Sequence, residues 1–538
     1  MRANWILLLG AVAALGLASR ASPAQAEVAC GKLADQARPG SRITSAEEVP
    51  AGALPPRDGG SAQTPAFCRL RGEIASQPGS HIGFELWLPA AGWNGKFEMV
   101  GNGGYSSAMA FPAMGRLLRA GYAVAATDTG HQGDDPDFAR GHPEAIEDWA
   151  YLAVHLTAVD GEALTQARYG APPAHRYFAG CSTGGQQAMS EAQHYPGDFD
   201  GIIAGSPGAD RIHLNAGFLW QYLQNHRRDG SEILPASKLG MITQAVLAAC
   251  RSDNGTRAGG LASDAWLDDP RVCRFRPESL LCHGGDGPGC LTADQVKALA
   301  AMYDGARDPR NKGLVAHGYP MGSESSGGSP SLPGWSLYWA DPQRLKEPAR
   351  LSFWRIWAGF GDAWDWWSFD YHRDMVTVDG KLAWTVNAVF PDLEPFMRSR
   401  GKLIAYHGLA DPVGPFDYSI DYHELAVDRF LRPNHGDETK ARAEVDAFYR
   451  LFLVPGMGHC VGGPGPTSFD AQAALEAWVE RDAAPDQIIA SHRDSPESAP
   501  SLTRPLCPYP AQAVYAGQGD PQRADSFACR AFRASVDR

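Results

Sequence analysis

Runs of hydrophobic residues, some unbroken and some alternating with polar residues, recur along this chain as they do in β-strands. The stretches that we predict to contain strands are residues 82–89, 96–100, 122–128, 175–179, 201–207, 401–411 and 448–454. Helical segments are predicted at residues 146–169, 186–192 and 466–480. Strands that alternate with helices imply a parallel sheet with both faces covered. The pattern therefore predicts an α/β fold with a mostly parallel central sheet.

This rhythm stops after about residue 208 and resumes near residue 401. The interval contains four cysteines and a crowd of tryptophans: Trp335, Trp339, Trp354, Trp357, Trp364, Trp366, Trp367 and Trp384. We predict an inserted lid domain over residues 209–396, between two core segments, 27–208 and 397–538. The rings have two interpretations: they pack the core of the lid, or they line an apolar cleft for a flat, ring-bearing substrate. The tail beyond the last helical segment is expected to be irregular.

The first 26 residues have the features of a signal peptide. Arg2 precedes an apolar run over residues 5–17, and residues 24–26, Ala-Gln-Ala, fit the small-x-small rule for cleavage. The alternative, a transmembrane anchor, needs a longer apolar span. We therefore predict an exported protein, periplasmic or secreted. In an oxidising compartment its ten cysteines are expected to form disulfides, and none of them forms a C-x-x-C pair.

The amino-acid composition says more about the partners of this protein than about its fold. Of the 538 residues, 44% are hydrophobic and 20% are charged, as in ordinary globular proteins with a large core. The formal net charge of −13 argues against nucleic acids and anionic membrane surfaces as partners.

One short stretch organises the candidate chemistry, the run Gly-Cys-Ser-Thr-Gly-Gly at residues 180–185. It lies between a predicted strand and a run of helix formers, which is the context of a nucleophile elbow. Gly180 and Gly184 permit a tight turn from which Ser182 projects its hydroxyl above the sheet edge. The N–H of Thr183, at the start of the helix, then faces an oxyanion. The alternative is a glycine-rich turn capped by a serine.

A second glycine cluster, residues 101–104, directly follows the strand predicted at residues 96–100. Glycines let the backbone approach a ligand closely, and this is where a hydrolase of this kind carries its second oxyanion donor. A plain tight turn is the alternative.

A serine hydroxyl is a weak nucleophile and needs a base, usually a histidine that an acid orients. In hydrolases with this elbow, the triad follows the chain order Ser, Asp or Glu, His. Asp411 and His459 each follow a predicted strand of the C-terminal half, where catalytic loops belong. His407 is a rival base, which we interpret as a supporting residue. Asp374 is a rival acid, but it precedes the final core strands.

Two cysteines stand next to these residues, because Cys181 precedes Ser182 and Cys460 follows His459. A bridge between them ties the nucleophile turn to the base loop and holds the two in register. It closes a loop of more than a hundred residues, for which the chain-entropy model gives about 4–5 kcal/mol.

These motifs resemble those of the tannase and feruloyl esterase family, which includes the mono(2-hydroxyethyl) terephthalate hydrolases. The resemblance covers nearly the whole mature chain. It rests on residues 180–185, on Gly-Lys-Leu-Ile, Tyr-His-Gly and Asp-Pro within residues 401–412, and on Gly-Met-Gly-His-Cys at residues 456–460.

The resemblance implies an α/β-hydrolase fold with a large inserted lid and a triad made of the serine, aspartate and histidine named above. It implies oxyanion donors at the N–H groups of Thr183 and of Gly103 or Gly104, of which we choose Gly104. It also implies five disulfides: Cys181–Cys460, Cys30–Cys68, Cys250–Cys273, Cys282–Cys290 and Cys507–Cys529.

The lid of this family also binds a structural calcium ion in an Asp-rich loop, which here lies between Cys250 and Cys273. The ligands that the resemblance implies are the side chains of Asn254 and Asp264, the carbonyls of Thr256 and Trp266, and Asp253 in place of a lost carboxylate. Arg251 occupies the position of the first expected aspartate and brings a cation to the site. The alternative is a disulfide-braced loop without metal.

We therefore expect an exported serine esterase that hydrolyses small-molecule esters of aromatic acids, such as feruloyl or galloyl esters. Ser182 attacks the carbonyl, His459 acts as base and then acid, and Asp411 fixes the imidazole tautomer. No redox cofactor or nucleotide site is evident. The rivals are a hydrolase for terephthalate-type monoesters, a binding protein of the same fold without turnover, and an exported peptidase of the same fold.

Overall fold

A nine-stranded mixed sheet forms the centre of the molecule. The structure is a computed structural model, and it describes residues 27–53, 63–251, 260–326, 334–493, 495 and 498–531. The predicted signal peptide, residues 1–26, lies outside the described residues.

The strands, in chain order, are β1 Ser41–Val49, β2 Gly52–Ala53, β3 Gln63–Thr64, β4 Phe67–Ile74, β5 Ile82–Pro89, β6 Lys96–Val100, β7 Ala123–Thr127, β8 His175–Cys181, β9 Gly201–Gly205, β10 Ala306–Arg307, β11 Leu314–Ala316, β12 Lys402–Gly408, β13 Tyr449–Val454, β14 Ile488–His492, β15 Leu502–Leu506, β16 Ala511–Tyr515 and β17 Phe527–Ala531.

The α-helices are α1 Phe111–Arg119, α2 Glu144–Glu147, α3 Ala153–Tyr169, α4 Thr183–His194, α5 Arg211–Asn225, α6 Leu239–Cys250, α7 Ala293–Asp304, α8 Arg373–Val386, α9 Glu394–Arg398, α10 Asp417–Leu431, α11 Glu438–Asp446 and α12 Ala471–Arg481. A π-helical turn, Asp148–Leu152, joins α2 to α3, so the predicted helical crossover over residues 146–169 is continuous.

The order of strands in the central sheet is β1-β4-β5-β7-β6-β8-β9-β12-β13. The pairs from β7 to β13 are parallel, whereas β1, β4, β5 and β7 pair antiparallel. The predicted α/β class with a mostly parallel sheet is therefore confirmed. The carboxyl ends of parallel strands meet at one edge of a sheet, where the loops after β8, β12 and β13 come together.

Neighbouring residues of a strand point to opposite faces of the sheet, and each face is buried under helices. Phe178 and Leu403 belong to one hydrophobic layer, which also contains residues of α3 and α4. Tyr177 and Ile404 belong to the other layer, which also contains residues of α1 and α12. Burial on both faces explains why these strands are nearly continuous hydrophobic runs.

Between β9 and β12 the described chain forms α5 to α9 and the small β10–β11 ladder, and it adds no strand to the central sheet. The predicted lid segment, residues 209–396, falls in this interval. Four of its tryptophans are almost fully buried: Trp335, Trp339, Trp354 and Trp357. These rings lie in hydrophobic clusters, and Trp357 also packs against Tyr105 and Trp149 of the preceding segment, whereas Trp384 is 79% exposed.

The tail is not irregular as expected, because it forms two antiparallel ladders, β14 with β15 and β16 with β17. Each strand is only five residues long. β15 contains Pro505, and all five residues of β16 are partly buried, so no clean alternation marks these strands in the sequence.

All ten cysteines are paired in five disulfides, and the pairs are those that the family resemblance implies: Cys30–Cys68, Cys181–Cys460, Cys250–Cys273, Cys282–Cys290 and Cys507–Cys529. Within the described ranges, no helix combines the length and the apolarity that a membrane span requires.

Candidate active site

Ser182 lies on a strained turn between β8 and α4. Its backbone has φ 63° and ψ −119°, in the left-handed half of conformational space that residues other than glycine rarely adopt. The turn is held by hydrogen bonds from the Ser182 N–H to the Gly205 carbonyl (2.9 Å) and from the Gln186 N–H to the Ser182 carbonyl (3.0 Å). A Cβ at Gly180 would lie 2.5 Å from the Gly184 carbonyl carbon, so this turn requires glycine there.

The structure brings Ser182, His459 and Asp411 together in one hydrogen-bonded row. The Ser182 Oγ and the His459 Nε2 are 2.8 Å apart. The His459 Nδ1 and the Asp411 Oδ2 are also 2.8 Å apart. Asp411 follows β12 and His459 follows β13, so both come from the same sheet edge as Ser182. This is the geometry of a nucleophile, a base and an orienting acid.

The carboxylate of Asp411 is fully buried and stays ionised through its neighbours. Burial by itself raises the pKa of Asp411, but His459 and His407 more than offset this and hold the pKa below its usual range. The other carboxylate oxygen, Oδ1, accepts the N–H groups of Val413 (2.8 Å) and Gly414 (3.0 Å). The acid is therefore fixed in position and in charge.

The two rival residues lie in other environments. The His407 ring has its Nδ1 2.7 Å from the Ser419 Oγ, and its Nε2 2.8 Å from the Gly414 carbonyl oxygen and 3.3 Å from the Asp411 Oδ2. It therefore supports the loop of Asp411, where it contacts the same carboxylate oxygen as His459. The Asp374 carboxylate accepts hydrogen bonds from Arg373 and from the backbone of Asp370. It makes no hydrogen bond with the row of Ser182, His459 and Asp411.

The two predicted oxyanion donors belong to two segments that are fastened to each other. The Thr183 N–H is the first of α4, and the first N–H groups of a helix have no acceptor inside the helix. Gly104 has φ 58° and lines the same cavity as Ser182 and His459. The Thr183 hydroxyl donates to the Gly104 carbonyl at 2.6 Å and joins the two segments.

The cavity above Ser182 is narrow and aromatic. Its lining consists of Gly104, Tyr105, Ser182, Ser206, Gly208, Arg211, Leu214, Phe218, Tyr338, Arg350, Val413, Gly414 and His459. Its free volume is about 20 Å³, room for little more than a water molecule. An aromatic ester therefore enters only if lining side chains move. Two larger cavities, of about 280 and 330 Å³, contain none of the three residues Ser182, Asp411 and His459. The volume of a cavity therefore does not identify the candidate active site in this protein.

Sequence reasoning missed several residues of this lining. None of the lid tryptophans reaches it, and its lid rings are instead Phe218 and Tyr338. Tyr105 carried a usable signal, because it directly follows the predicted oxyanion glycines. The two arginines, Arg211 and Arg350, carried none, since no local pattern tells a buried guanidinium from a solvated one.

The lid loop that resembles a calcium site contacts two guanidinium groups, Arg251 of its own and Arg504 of the C-terminal tail. Asp253, Asn254 and Thr256 lie outside the described residues, and only Asp264 and Trp266 of the implied ligands are described. An Arg251 guanidinium nitrogen donates to the Asp264 carbonyl, and the Arg504 Nη2 lies 3.3 Å from the Asp264 Oδ1. One guanidinium group thus contacts the carboxylate of Asp264 and a second contacts its backbone carbonyl, and these described residues do not fit a calcium ion.

Among the described residues, no group of three or more His, Cys, Asp or Glu side chains has the arrangement of a metal site. The calcium ion itself stays a prediction, because most of its implied ligands are not described.

Several known proteins are similar to this chain in sequence and in structure. The family described as "Tannase and feruloyl esterase" matches residues 68–530. An uncharacterized esterase from Xanthomonas campestris pv. campestris is 37% identical over 97% of this chain and 94% of its own. A probable feruloyl esterase B from Aspergillus clavatus is 28% identical over 96% and 98%. The crystal structure of feruloyl esterase B from Aspergillus oryzae, 26% identical, superposes with a TM-score of 0.82 over 93% of this chain and 99% of its own.

Proposed function

The chain belongs to the tannase and feruloyl esterase family, and from that premise we propose that it is an exported serine esterase for esters of phenolic acids. The family and the relatives above make it a carboxylic ester hydrolase with a small-molecule ester substrate. The serine mechanism, the aromatic acid and the export are our proposal.

The observation that carries the serine mechanism is the row from Ser182 through His459 to Asp411, with 2.8 Å at each step. In our proposal the Ser182 Oγ attacks the ester carbonyl while the His459 Nε2 accepts its proton. Asp411 holds the proton on Nδ1 and stabilises the imidazolium. The tetrahedral intermediate collapses when His459 returns the proton to the leaving alcohol, and an acyl-enzyme remains.

Water then releases the acid by the same route in reverse order. His459 takes a proton from the attacking water, the second tetrahedral intermediate forms, and the acid leaves as Ser182 regains its proton. In both steps the negative oxygen accepts hydrogen bonds from the N–H groups of Thr183 and Gly104.

The cavity lining supports an aromatic acid with oxygen substituents. Tyr105, Phe218 and Tyr338 offer rings against which a flat acyl group packs, and the Arg350 guanidinium, which also contacts Asp134, lies beside them. Arg350 also favours the second candidate, a hydrolase of terephthalate-type monoesters, because a guanidinium pairs well with a free carboxylate.

Export is proposed from the cysteines. Disulfides persist in oxidising compartments and are rare in the cytosol. This chain pairs all ten of its cysteines, including a bridge beside the proposed nucleophile. The periplasm or the medium is therefore the compartment that fits.

Turnover by the purified mature protein on a panel of esters tests the proposal. The panel contains methyl ferulate, methyl gallate, a terephthalate monoester and short p-nitrophenyl esters. We expect a phenolic ester to be preferred and Ser182→Ala to lose all activity with an unchanged melting curve. Full activity in Ser182→Ala would remove the mechanism. A preference for the terephthalate monoester that disappears in Arg350→Gln would select the second candidate.

Failure of every ester has a separate meaning. If a serine-directed phosphonate still labels Ser182, the catalytic row is competent and the acid that the lid admits differs from those tested. If the phosphonate does not label Ser182 either, the binding protein without turnover is the better description.

A further inference from the structure

A guanidinium lies buried beside the predicted oxyanion donors, in the lining of the same cavity. Arg211, the first residue of α5, is 5% exposed. Its Nη2 donates to the Thr183 Oγ1 at 2.9 Å and to the Gln186 Oε1 at 3.1 Å. The two acceptors are neutral, so neither of these hydrogen bonds neutralises the positive charge.

Aromatic rings enclose the same group. The Arg211 Cζ lies 5.5 Å from the centre of the Tyr105 ring and 5.1 Å from that of Trp149, within the range of cation–π attraction. The backbone also makes room for it, because a Cβ at Gly208 would lie 3.2 Å from the Arg211 Nη2. Within the described chain, the Arg211 Nε has no hydrogen-bond partner.

Such a group is expensive to bury. Burial lowers the pKa of Arg211, yet a guanidinium stays protonated in proteins. A buried cation with neutral partners costs the fold stability, which raises the question of a function of its charge that offsets this cost. In the proposed reaction an oxyanion forms between the N–H groups of Thr183 and Gly104, and a positive charge nearby stabilises it.

A chain of hydrogen bonds connects the Arg211 guanidinium to the two segments that carry the oxyanion donors. A hydroxyl has one hydrogen, and a donor aimed at its oxygen leaves that hydrogen free to point elsewhere. Because the Arg211 Nη2 donates to the Thr183 Oγ1, the Thr183 hydrogen points to the Gly104 carbonyl, 2.6 Å away. Hydrogen bonds in such a chain polarise and strengthen one another.

We propose that Arg211 is a positioning residue of the esterase: through the Thr183 hydroxyl it locks α4 to the loop of Gly104 and sets the distance between the two oxyanion donors. This inference rests on the proposed function, since it assigns a part in the same reaction. It also makes the first helix of the lid segment part of the catalytic geometry.

A double-mutant cycle tests the proposal. Arg211→Met and Thr183→Val each remove the relay with little change in volume. Removing an oxyanion donor costs about a hundredfold to a thousandfold in kcat, and we expect misplacement to cost about tenfold to a hundredfold, with KM nearly unchanged. If Arg211 acts through Thr183, then the double variant is no slower than the slower single variant.

Two further variants separate positioning from folding. Thr183→Ser keeps the hydroxyl and is expected to retain kcat, which rescues what Thr183→Val loses. Arg69→Met is the matched control, because Arg69 is also buried, lies 5.7 Å from the rings of both Trp87 and Phe111, and pairs with Glu85 away from the site. It is expected to lower the melting temperature and to leave kcat per folded molecule unchanged.

Two outcomes would overturn the proposal. Losses in kcat that multiply in the double variant would mean that Arg211 and Thr183 act independently. A rise in KM with an unchanged kcat in Arg211→Met would make Arg211 a substrate-binding residue.

The proposed function can fail on its own. If the wild type hydrolyses no ester of the panel, the same cycle is read from the rate at which a phosphonate labels Ser182, because that reaction uses the same oxyanion donors. A cycle that is non-additive in labelling keeps the positioning role while the ester assignment falls. Equal labelling rates in all variants would reject the role.

Discussion

Four groups converge on the carboxylate of Asp411, two backbone N–H groups on one oxygen and two imidazole rings near the other. At the scale of a single residue, this arrangement separates the task of fixing the loop from the task of orienting the base. The N–H groups of Val413 and Gly414 hold the loop, whereas the charge acts on His459. The two tasks can therefore be tested apart.

Asp411→Asn is expected to lower kcat by about three to four powers of ten at neutral pH. The amide oxygen still accepts the two N–H groups, but the amide nitrogen donates to the His459 Nδ1. The imidazole proton is then forced onto Nε2, which cannot accept the proton of Ser182. The measurement is kcat beside a thermal melt, which we expect to change little.

Asp374→Asn is the control for this prediction, since it neutralises the rival acid, which contacts none of the triad residues. It is expected to keep kcat. An Asp411→Asn enzyme within tenfold of the wild type would show that this carboxylate does not orient the base.

At the scale of elements, the Cys181–Cys460 bridge joins the end of β8 to the loop after β13 across a sequence separation of 279 residues. The residues beside its two ends are Ser182 and His459. Chain entropy alone gives such a long loop about 5 kcal/mol of stabilisation. A bridge that only stabilised the fold would not need to stand next to both of the residues that we propose to react.

We expect Cys181→Ala/Cys460→Ala to lose more activity than its loss of stability explains, because Ser182 and His459 lose their common anchor. The measurement is kcat per folded molecule at a temperature well below the melting point. Cys507→Ala/Cys529→Ala is the matched control, with a separation of 22 residues in the tail, and it should lose stability alone. Equal kcat in the two double variants would reduce the active-site bridge to a structural crosslink.

The elements also show what could be predicted from the sequence. Residues 82–89 and 96–100 coincide with β5 and β6, because buried strands are hydrophobic runs with clear ends. Sequence reasoning also selected the three residues that meet at the site, since each directly follows a core strand. β15 and β16 escaped, because Pro505 interrupts the first and all five residues of the second are partly buried, so neither shows clean alternation.

Arg211 escaped for another reason. Its partner Thr183 is 28 residues away in the sequence, and the Gly104 carbonyl that completes the relay is 79 residues from Thr183. Contacts of this kind depend on the packing of two helices and a loop, which periodicity does not encode.

At the scale of the whole molecule, the lid loop bears on stability. If the guanidinium groups of Arg251 and Arg504 take the place of a metal ion beside Asp264, then chelation has nothing to remove. We expect the melting temperature of the wild type to stay unchanged in excess chelator. Arg251→Asp restores the carboxylate that the family carries there, and its melting temperature is expected to become sensitive to calcium. A wild type that melts several degrees lower in chelator would establish the calcium ion instead.

The acid sensitivity of the fold depends on a buried histidine. His423 is fully buried in α10 against Tyr449 and Tyr509, and within the described residues neither ring nitrogen has a hydrogen-bond partner. Burial lowers the pKa of His423 from 6.5 to about 4; Glu424 opposes this shift and Arg442 adds to it. The neutral ring is therefore the form that the folded chain accepts.

This lowered pKa sets a direction for stability. Between pH 6.5 and pH 4 the unfolded chain binds a proton at His423 that the folded chain does not bind, so the free energy of unfolding falls as the pH is lowered. The loss from this residue reaches about 3 kcal/mol near pH 4. The buried Glu98 acts in the opposite sense, because burial raises its pKa to about 8 and acid then favours the folded state.

Comparison with His423→Phe separates the contribution of the histidine to the pH dependence from that of Glu98 and the other groups. The variant keeps an aromatic ring at this position but has no group that titrates there. Denaturant unfolding of both proteins from pH 7.5 to pH 4 measures the difference. We expect the wild type to lose more stability than the variant over this range, with most of the divergence below pH 6. Both proteins keep Asp446, whose carboxylate lies 3.9 Å from the His423 Nε2 in the wild type. Parallel curves would mean that His423 takes up its proton in the folded chain as readily as in the unfolded chain.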